Sequence, residues 1–203
     1  YITRATHENT SWDAYRFEVS AHRWVRLENA SRSWAIANDS TYGWDVTRHQ
    51  SDRRGTWSQV RATLVKSARF PDPQQDQGHH EWNFRIVPDA SVLDAVAAGQ
   101  QLNLREREVS GLPFEAPFSI TGAVVESVAM APDRSGDLVL RVYEAQGGPS
   151  QVTLTAPEAT SVTACDLRYR PSEEEPHLRG GDGQWSFDLS AFQITTLRLS
   201  FTK

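Results

Sequence analysis

The chain has 203 residues, 38% hydrophobic and 23% charged, with a net charge of −5. This size and balance fit one large or two small folded domains and exclude a disordered chain. The negative charge argues against a nucleic-acid surface, which needs a basic footprint, and no apolar run approaches the ~20 residues of a membrane helix.

The first residues, Tyr1 to Asp13, are polar and show no apolar period. They do not read as a signal peptide, because no apolar h-region is present. The lack of an initiator Met points to a fragment or a processed piece. From Phe17 to Leu27 large apolar and polar residues alternate, which predicts one long strand with Arg23 as a polar intruder. Trp34 to Ala37 predicts a short strand. It runs into Asn38-Asp39-Ser40-Thr41-Tyr42-Gly43, a composition that marks a turn. Trp44 to Val46 resumes extended structure, Gln50 to Gly55 reads as a charged loop, and Val60, Ala62 and Leu64 alternate again.

Phe70 to Pro88 begins irregular, because Pro71, Pro73 and Gly78 oppose regular structure. It then becomes a strand with Trp82, Phe84 and Ile86 on one face. Asp89 to Gln100 predicts a helix, the only one, with Val92, Leu93, Val96 and Ala97 on its apolar face. Asp89 is read as its N-cap and Gly99 as its stop. Ser110 to Pro117 reads as a domain boundary. Beyond it, short strands and turns recur about every ten residues, as in a β-sandwich. Gly147-Gly148-Pro149 reads as a hairpin turn, and Tyr169 to Gly183, with Glu173, Glu174 and Glu175, as a solvated excursion.

The one Cys, Cys165, excludes an internal disulfide and suits a reducing compartment. Seven Trp suit a sugar site and a sandwich core alike. Asp76, Gln77, Gly78, His79, His80 and Glu81 sit where a loop meets a strand, and binding groups concentrate on loops held by a rigid sheet. The alternative is that Asp76 and Gln77 close a turn and the histidines are surface residues. A metal site there is not expected, since adjacent strand residues face opposite ways. No nucleophile elbow or phosphate loop is present. Paired carboxylates for glycoside hydrolysis are defined by a distance of ~5 to 10 Å that a sequence does not give. No self-sufficient active site emerges from the residues alone.

Five collinear segments resemble the C-terminal all-β portion of family 38 glycoside hydrolases, the retaining α-mannosidases. They are Asn9-Thr-Ser-Trp-Asp13, Phe17-Glu-Val-Ser-Ala-His-Arg-Trp-Val25, Asn38-Asp-Ser-Thr-Tyr-Gly-Trp-Asp-Val46, Asp76-Gln-Gly-His-His-Glu-Trp82 and Gly136-Asp-Leu-Val-Leu-Arg-Val-Tyr-Glu-Ala-Gln-Gly-Gly148. Thr41 stands where a basic residue is common in that family, and Trp82 where Phe or Tyr is common.

The resemblance implies an all-β fold: part of a mutarotase-like β-sandwich over 1–117, then a smaller C-terminal β-sandwich over 118–203, with one short helix near 90–99. It implies the non-catalytic C-terminal region of a zinc-dependent, cytoplasmic α-mannosidase. This region would brace the catalytic domain of the same polypeptide and complete the cleft for a mannose-containing oligosaccharide. The family's zinc ligands and nucleophile belong to a catalytic domain, so this chain alone is expected to be inactive and to hold no metal or cofactor. Asp76, Gln77, Gly78 and His80 are the expected rim of the sugar site. His22, Arg23, Asn38, Asp39 and Tyr42 are secondary candidates, with turn closure or a buried ion pair as the structural alternative. If the first part lacks its earlier strands, open edges invite pairing into a homo-oligomer. Two other classes compete: an autonomous carbohydrate-binding module, and a self-contained hydrolase or epimerase.

Overall fold

Alternation of large apolar and polar side chains commits most of the chain to strands. The computed structural model describes every residue except 5–10, 16, 105, 107, 109, 112–114, 173–175 and 203, and leaves the side chains of Asp13 and Ala14 undescribed. Parts of the polar lead-in and of the Asn9–Asp13 segment, the centre of the Ser110–Pro117 boundary, and Glu173, Glu174 and Glu175 therefore lie outside the described residues. The strands form four antiparallel sheets and the fold is all-β, divided into two compact units: residues 2–108, and residues 109–203 together with Tyr1.

In the N-terminal unit, a five-residue helix α1 (Ser11–Tyr15) precedes β1 (Val19–Ser20), β2 (Trp24–Glu28), β3 (Ser33–Asn38), β4 (Gly43–Ser51), β5 (Gly55–Thr63), β6 (Phe84–Pro88) and helix α2 (Val92–Asn103). The long strand expected from Phe17 to Leu27 is two strands in two sheets. Arg23 takes a positive φ of 67° and breaks it. β1 joins the sheet β1-β4-β5, whereas β2 joins β2-β3-β6. The expected charged loop at 50–55 narrows to a turn at 52–54, because β4 and β5 pair in unbroken register from Gly43↔Thr63 to Ser51↔Gly55.

Helix α2 lies three residues later than the sequence indicates. Asp89 takes a positive φ of 50°, and Ser91 is the N-cap. Ser91 Oγ accepts from Asp94 N–H at 3.1 Å, while the Asp94 carboxylate accepts from Ser91 N–H at 2.8 Å, a reciprocal capping box. Gly99 does not stop the helix. It lies inside it, where a Cβ would stand 3.0 Å from Trp24 Cδ1 and 3.3 Å from Arg23 Cβ. The buried residues are Ala95, Val96, Ala98 and Gly99, so small residues let the helix sit close to Trp24 and Ala35. Leu93 and Ala97, expected inward, are exposed.

Only one face of the β2-β3-β6 sheet meets α2. Trp24, Ala35 and Val87 pack there with Ala90 and Ala95. On the other face the register lines up Val25, Ile36 and Ile86, with Leu27 beside Trp34 and Phe84 beside Asn38. Ile86 is 64% exposed, and Trp34 and Phe84 are exposed as well. Val25, Leu27 and Ile36 are half-buried and Phe84 meets Trp44 edge-on, so this apolar face is bare chiefly at Trp34 and Ile86.

The C-terminal unit contains β7 (Ser119–Thr121), β8 (Val124–Met130), β9 (Leu138–Tyr143), β10 (Ser150–Thr155), β11 (Ala159–Cys165), β12 (Arg179–Gly181), β13 (Gln184–Leu189) and β14 (Ile194–Phe201). They form the sheets β12-β13-β10-β7 and β11-β14-β9-β8. The core between them is filled by Leu140, Val142, Val152, Leu154, Phe187, Leu197 and Leu199. Gly147-Gly148-Pro149 is a crossover rather than a hairpin, since β9 and β10 belong to different sheets. Glu144 holds that crossover: its 2%-exposed carboxylate accepts from the N–H groups of Gln146, Gly147 and Phe192 at 2.5, 2.8 and 3.0 Å. Burial alone would raise its pKa, but the converging N–H donors outweigh burial and hold it below the ordinary value. The excursion expected over 169–183 is partly regular, because β12 pairs with β13.

Candidate functional site

The concavity that stands out lies on the N-terminal unit, an open depression of about 720 Å³. Its walls come from β1, the turn at 40–43, the end of β5 and the connection from Leu64 to Asn83. That connection has no helix or strand of its own. Loops of such length in a compact unit are commonly functional.

Glu18 and Lys66 form a charged wall. Lys66 Nζ stands 3.2 Å from Glu18 Oε2, and Thr63 Oγ1 donates to Glu18 Oε1. The Thr63 hydroxyl bond, followed by Lys66, holds the Glu18 carboxyl below its ordinary range. Tyr42, His80 and Trp82 also border the depression, each as part of an aromatic stack. The His22 and Tyr42 rings lie 5.4 Å apart at 28°, and those of His80 and Trp82 lie 5.2 Å apart at 20°. A polar wall between aromatic faces is suited to a ligand with hydroxyls on its rim and C–H groups on its faces.

The expected rim loop divides. Asp76 and His80 line the depression; Gln77 and Gly78 do not. The polar groups of Asp76 and His80 also organise the loop itself. Asp76 Oδ2 accepts from Ser67 N–H at 3.0 Å, and His80 Nε2 donates to the Asp76 carbonyl at 2.8 Å, which requires the Nε2–H tautomer. Gln77 Nε2 donates to the Pro73 carbonyl at 3.3 Å. Gly78 takes a φ of 140°, but nothing lies within 4 Å of where its Cβ would be. Its conformation, not a close approach, calls for glycine.

The secondary candidates are brought together around the 38–43 turn. Asn38 Oδ1 accepts from Thr41 N–H at 2.9 Å and closes the turn. Asp39 ties it to the start of β6, accepting from Asn83 N–H at 3.1 Å and Asn83 Nδ2 at 2.9 Å. The Ser40 hydroxyl holds Asp39 below its usual value against the opposing effect of burial, with further help from the Asn83 donors. Tyr42, stacked on His22, borders the depression. The carbonyl of Arg23 accepts from Asn38 N–H at 2.9 Å. Asn38 and Asp39 thus act as structural ties.

Sequence reading missed Glu18, Thr63, Lys66 and Trp82 as members of one site. Glu18 and Lys66 are 48 positions apart, just outside β1 and β5, and only the pairing of both strands with β4 brings them together. Among the described residues, no group of three or more His, Cys, Asp or Glu side chains is placed to hold a metal ion, and no helix is long and apolar enough to cross a membrane.

Residues 1–74 match the family described as Glycosyl hydrolases family 38 C-terminal domain, and residues 122–197 the Glycosyl hydrolases family 38 C-terminal beta sandwich domain. Alpha-mannosidase 2C1 of Homo sapiens is 34% identical over 217 residues, covering 98% of this chain and 19% of that protein. Alpha-mannosidase G of Dictyostelium discoideum is 29% identical, over 98% of this chain and 19% of its own length. Alpha-mannosidase of Saccharomyces cerevisiae is 29% identical, over 98% and 20%. The chain thus spans about a fifth of the length of the curated relatives it matches.

Proposed function

The chain belongs to glycosyl hydrolase family 38, as part of that family's C-terminal β-domain region, and on this premise we propose that it is the non-catalytic C-terminal region of a retaining, zinc-dependent, cytoplasmic α-mannosidase. It braces the catalytic domain of the same polypeptide and completes the cleft that receives a mannose-containing oligosaccharide. In the whole enzyme the reaction is hydrolysis of terminal α-mannosides, and zinc belongs to the catalytic domain. Copies of the chain also associate with one another.

The observation that carries the bracing role is the bare face of the β2-β3-β6 sheet, with Trp34, Phe84 and Ile86 exposed. An apolar face of this kind marks an interaction surface. The cleft role is supported by the depression bordered by Asp76, His80, Trp82, Tyr42 and the Glu18–Lys66 pair. Gln77 and Gly78 shape the loop that carries Asp76 and His80 and have no direct contact in this role.

Co-expression with the catalytic domain is the test. Native chain is expected to co-purify with it and support turnover of a chromogenic α-mannoside, whereas Ile86→Asp abolishes co-purification. Glu18→Ala leaves co-purification intact and raises KM. Turnover by these 203 residues alone would overturn the proposal. A second role, as an autonomous carbohydrate-binding module, is favoured by the two aromatic stacks beside the depression. Titration of the chain with mannose and mannobiose separates the two: millimolar or tighter binding supports the module, and silence supports bracing.

A further inference from the structure

We infer that two copies of this chain pair antiparallel along β5, around a two-fold axis at Gln59. This rests on the association between copies proposed above and adds the strand and the register.

Strand β5 ends its sheet, in the order β1-β4-β5. One edge is bound to β4 over all nine residues, and no described strand pairs with the other. β1 reaches only Gly43 and Trp44, so from Asp45 onward β4 and β5 form a ribbon of two strands. Two strands alone are marginal in water, and a third or fourth alongside stabilises them. β5 also lacks the usual protections of an edge. It contains no proline, its pairing has no bulge, and Arg61 is its one charge. Residues 55–59 are exposed without interruption.

The strand is complementary to itself. Gln59 is the middle of Gly55–Thr63, so an antiparallel copy centred there overlaps along the full length. Trp57 then lies opposite the second copy's Arg61, twice by symmetry, and Gln59 opposite its equivalent. All lie on one face, because side chains alternate. The Trp57 ring is already fixed by stacking on His49, with centroids 4.3 Å apart at 23°. Arg61 donates through Nε to Asp45, its partner across on β4, at 2.6 Å, and turns from it to reach the second copy. A guanidinium over a tryptophan face is attractive. Any shift to a centre at Arg61 would instead oppose two guanidinium groups, and a centre at Trp57 would leave the Arg61 end unpaired. On the opposite face Thr56 meets Ala62, and Ser58 meets Val60, which are small enough to pack.

The experiment uses the 203-residue chain with Cys165→Ser as background. Sedimentation is expected to give a dimer, and Gln59→Lys to weaken its dissociation constant at least tenfold by opposing two ammonium groups. Directly opposed residues have Cβ atoms about 4.5–5.5 Å apart. Gln59→Cys therefore cross-links to a covalent dimer with mild oxidant or a short bis-maleimide, whereas Thr56→Cys does not. A monomer at tens of micromolar would overturn both this pairing and the proposed association. A dimer that neither cross-links at position 59 nor responds to Gln59→Lys would overturn the pairing alone. Neither result bears on the bracing and cleft roles, which are read by co-purification and mannoside turnover.

Discussion

The two units use the same strand alternation and end differently. In the C-terminal unit two four-stranded sheets close on each other, and eleven buried residues fill the space between them. In the N-terminal unit the buried cluster is Ala35, Ala90 and Ala95, with Trp24 and Val87 packed around it. Charge divides in the same way. Residues 2–108 carry 14 basic and 14 acidic side chains, whereas residues 109–203 carry 7 and 12, so the whole net charge belongs to the closed sandwich. Six of the seven tryptophans fall in the neutral, open unit. The two buried donors without a hydrogen-bond partner among the described residues, Asn38 Nδ2 and Trp44 Nε1, fall there too. A charged sandwich with a full core is built to face water. The neutral unit carries the exposed Trp34 and Ile86.

The contrast is most easily broken in the cores. Phe187→Ala, at a fully buried position, is expected to cost about 3–5 kcal/mol by calorimetry or urea titration. Ile86→Ala on the bare face should cost less than about 1 kcal/mol in the chain alone, because little burial is lost. Equal costs would mean that the face is covered. Next in size is Glu144→Ala, which leaves the N–H groups of Gln146 and Gly147 in the crossover, and of Phe192 between β13 and β14, without their acceptor. About 2–3 kcal/mol is expected, from the cost of unsatisfied buried groups and of a lost charged acceptor. Gly99→Ala sharpens the comparison from the other side. The gain in helix propensity is about 1 kcal/mol, but the new methyl meets Trp24 and Arg23, and a net loss of about 1 kcal/mol is expected from overpacking.

Acid has the smallest effect. Asp133 is lowered to about 2, first by its bonds to Ser135 and then by Arg198, and the Glu144 pKa is lowered too. A depressed carboxylate contributes stability above its unfolded pKa and loses it as pH falls through the folded one. Melting of the C-terminal unit should therefore be flat above pH 4.5 and fall by a few degrees toward about pH 2. Asp133→Asn, which leaves Arg198 bound to Asp137 at 2.7 Å, should flatten part of that fall.

The closed sandwich was legible because burial on one face enforces strict alternation. Leu138, Leu140 and Val142 on β9 and Trp185, Phe187 and Leu189 on β13 all read as strand and lie in strands. What sequence reading missed has physical causes. Arg23 adopts a conformation that a glycine would have advertised. The buried stripe of α2 is Ala and Gly apart from Val96, so reading by size found Val96 but selected Leu93 as well. Gly147-Gly148 marks a turn correctly but does not say which sheet the next strand joins. Part of the candidate site was legible, since Asp76, His80 and Tyr42 do border one depression. Glu18 and Lys66 were not, because each lies just outside a strand end, and the sequence does not say which other segment will end beside it.

The kink at Arg23 separates two sheets whose facing is set independently. Trp24 points to the α2 side, and Val25 and Leu27 to the bare side, because three residues intervene after Ser20. Adding or deleting a single amino acid in that bridge would turn β2 over, throwing the indole outward and pressing two aliphatic chains on the helix. The joint therefore acts as a parity lock, in which the number of residues from 21 to 23 fixes which face of β2 meets the helix.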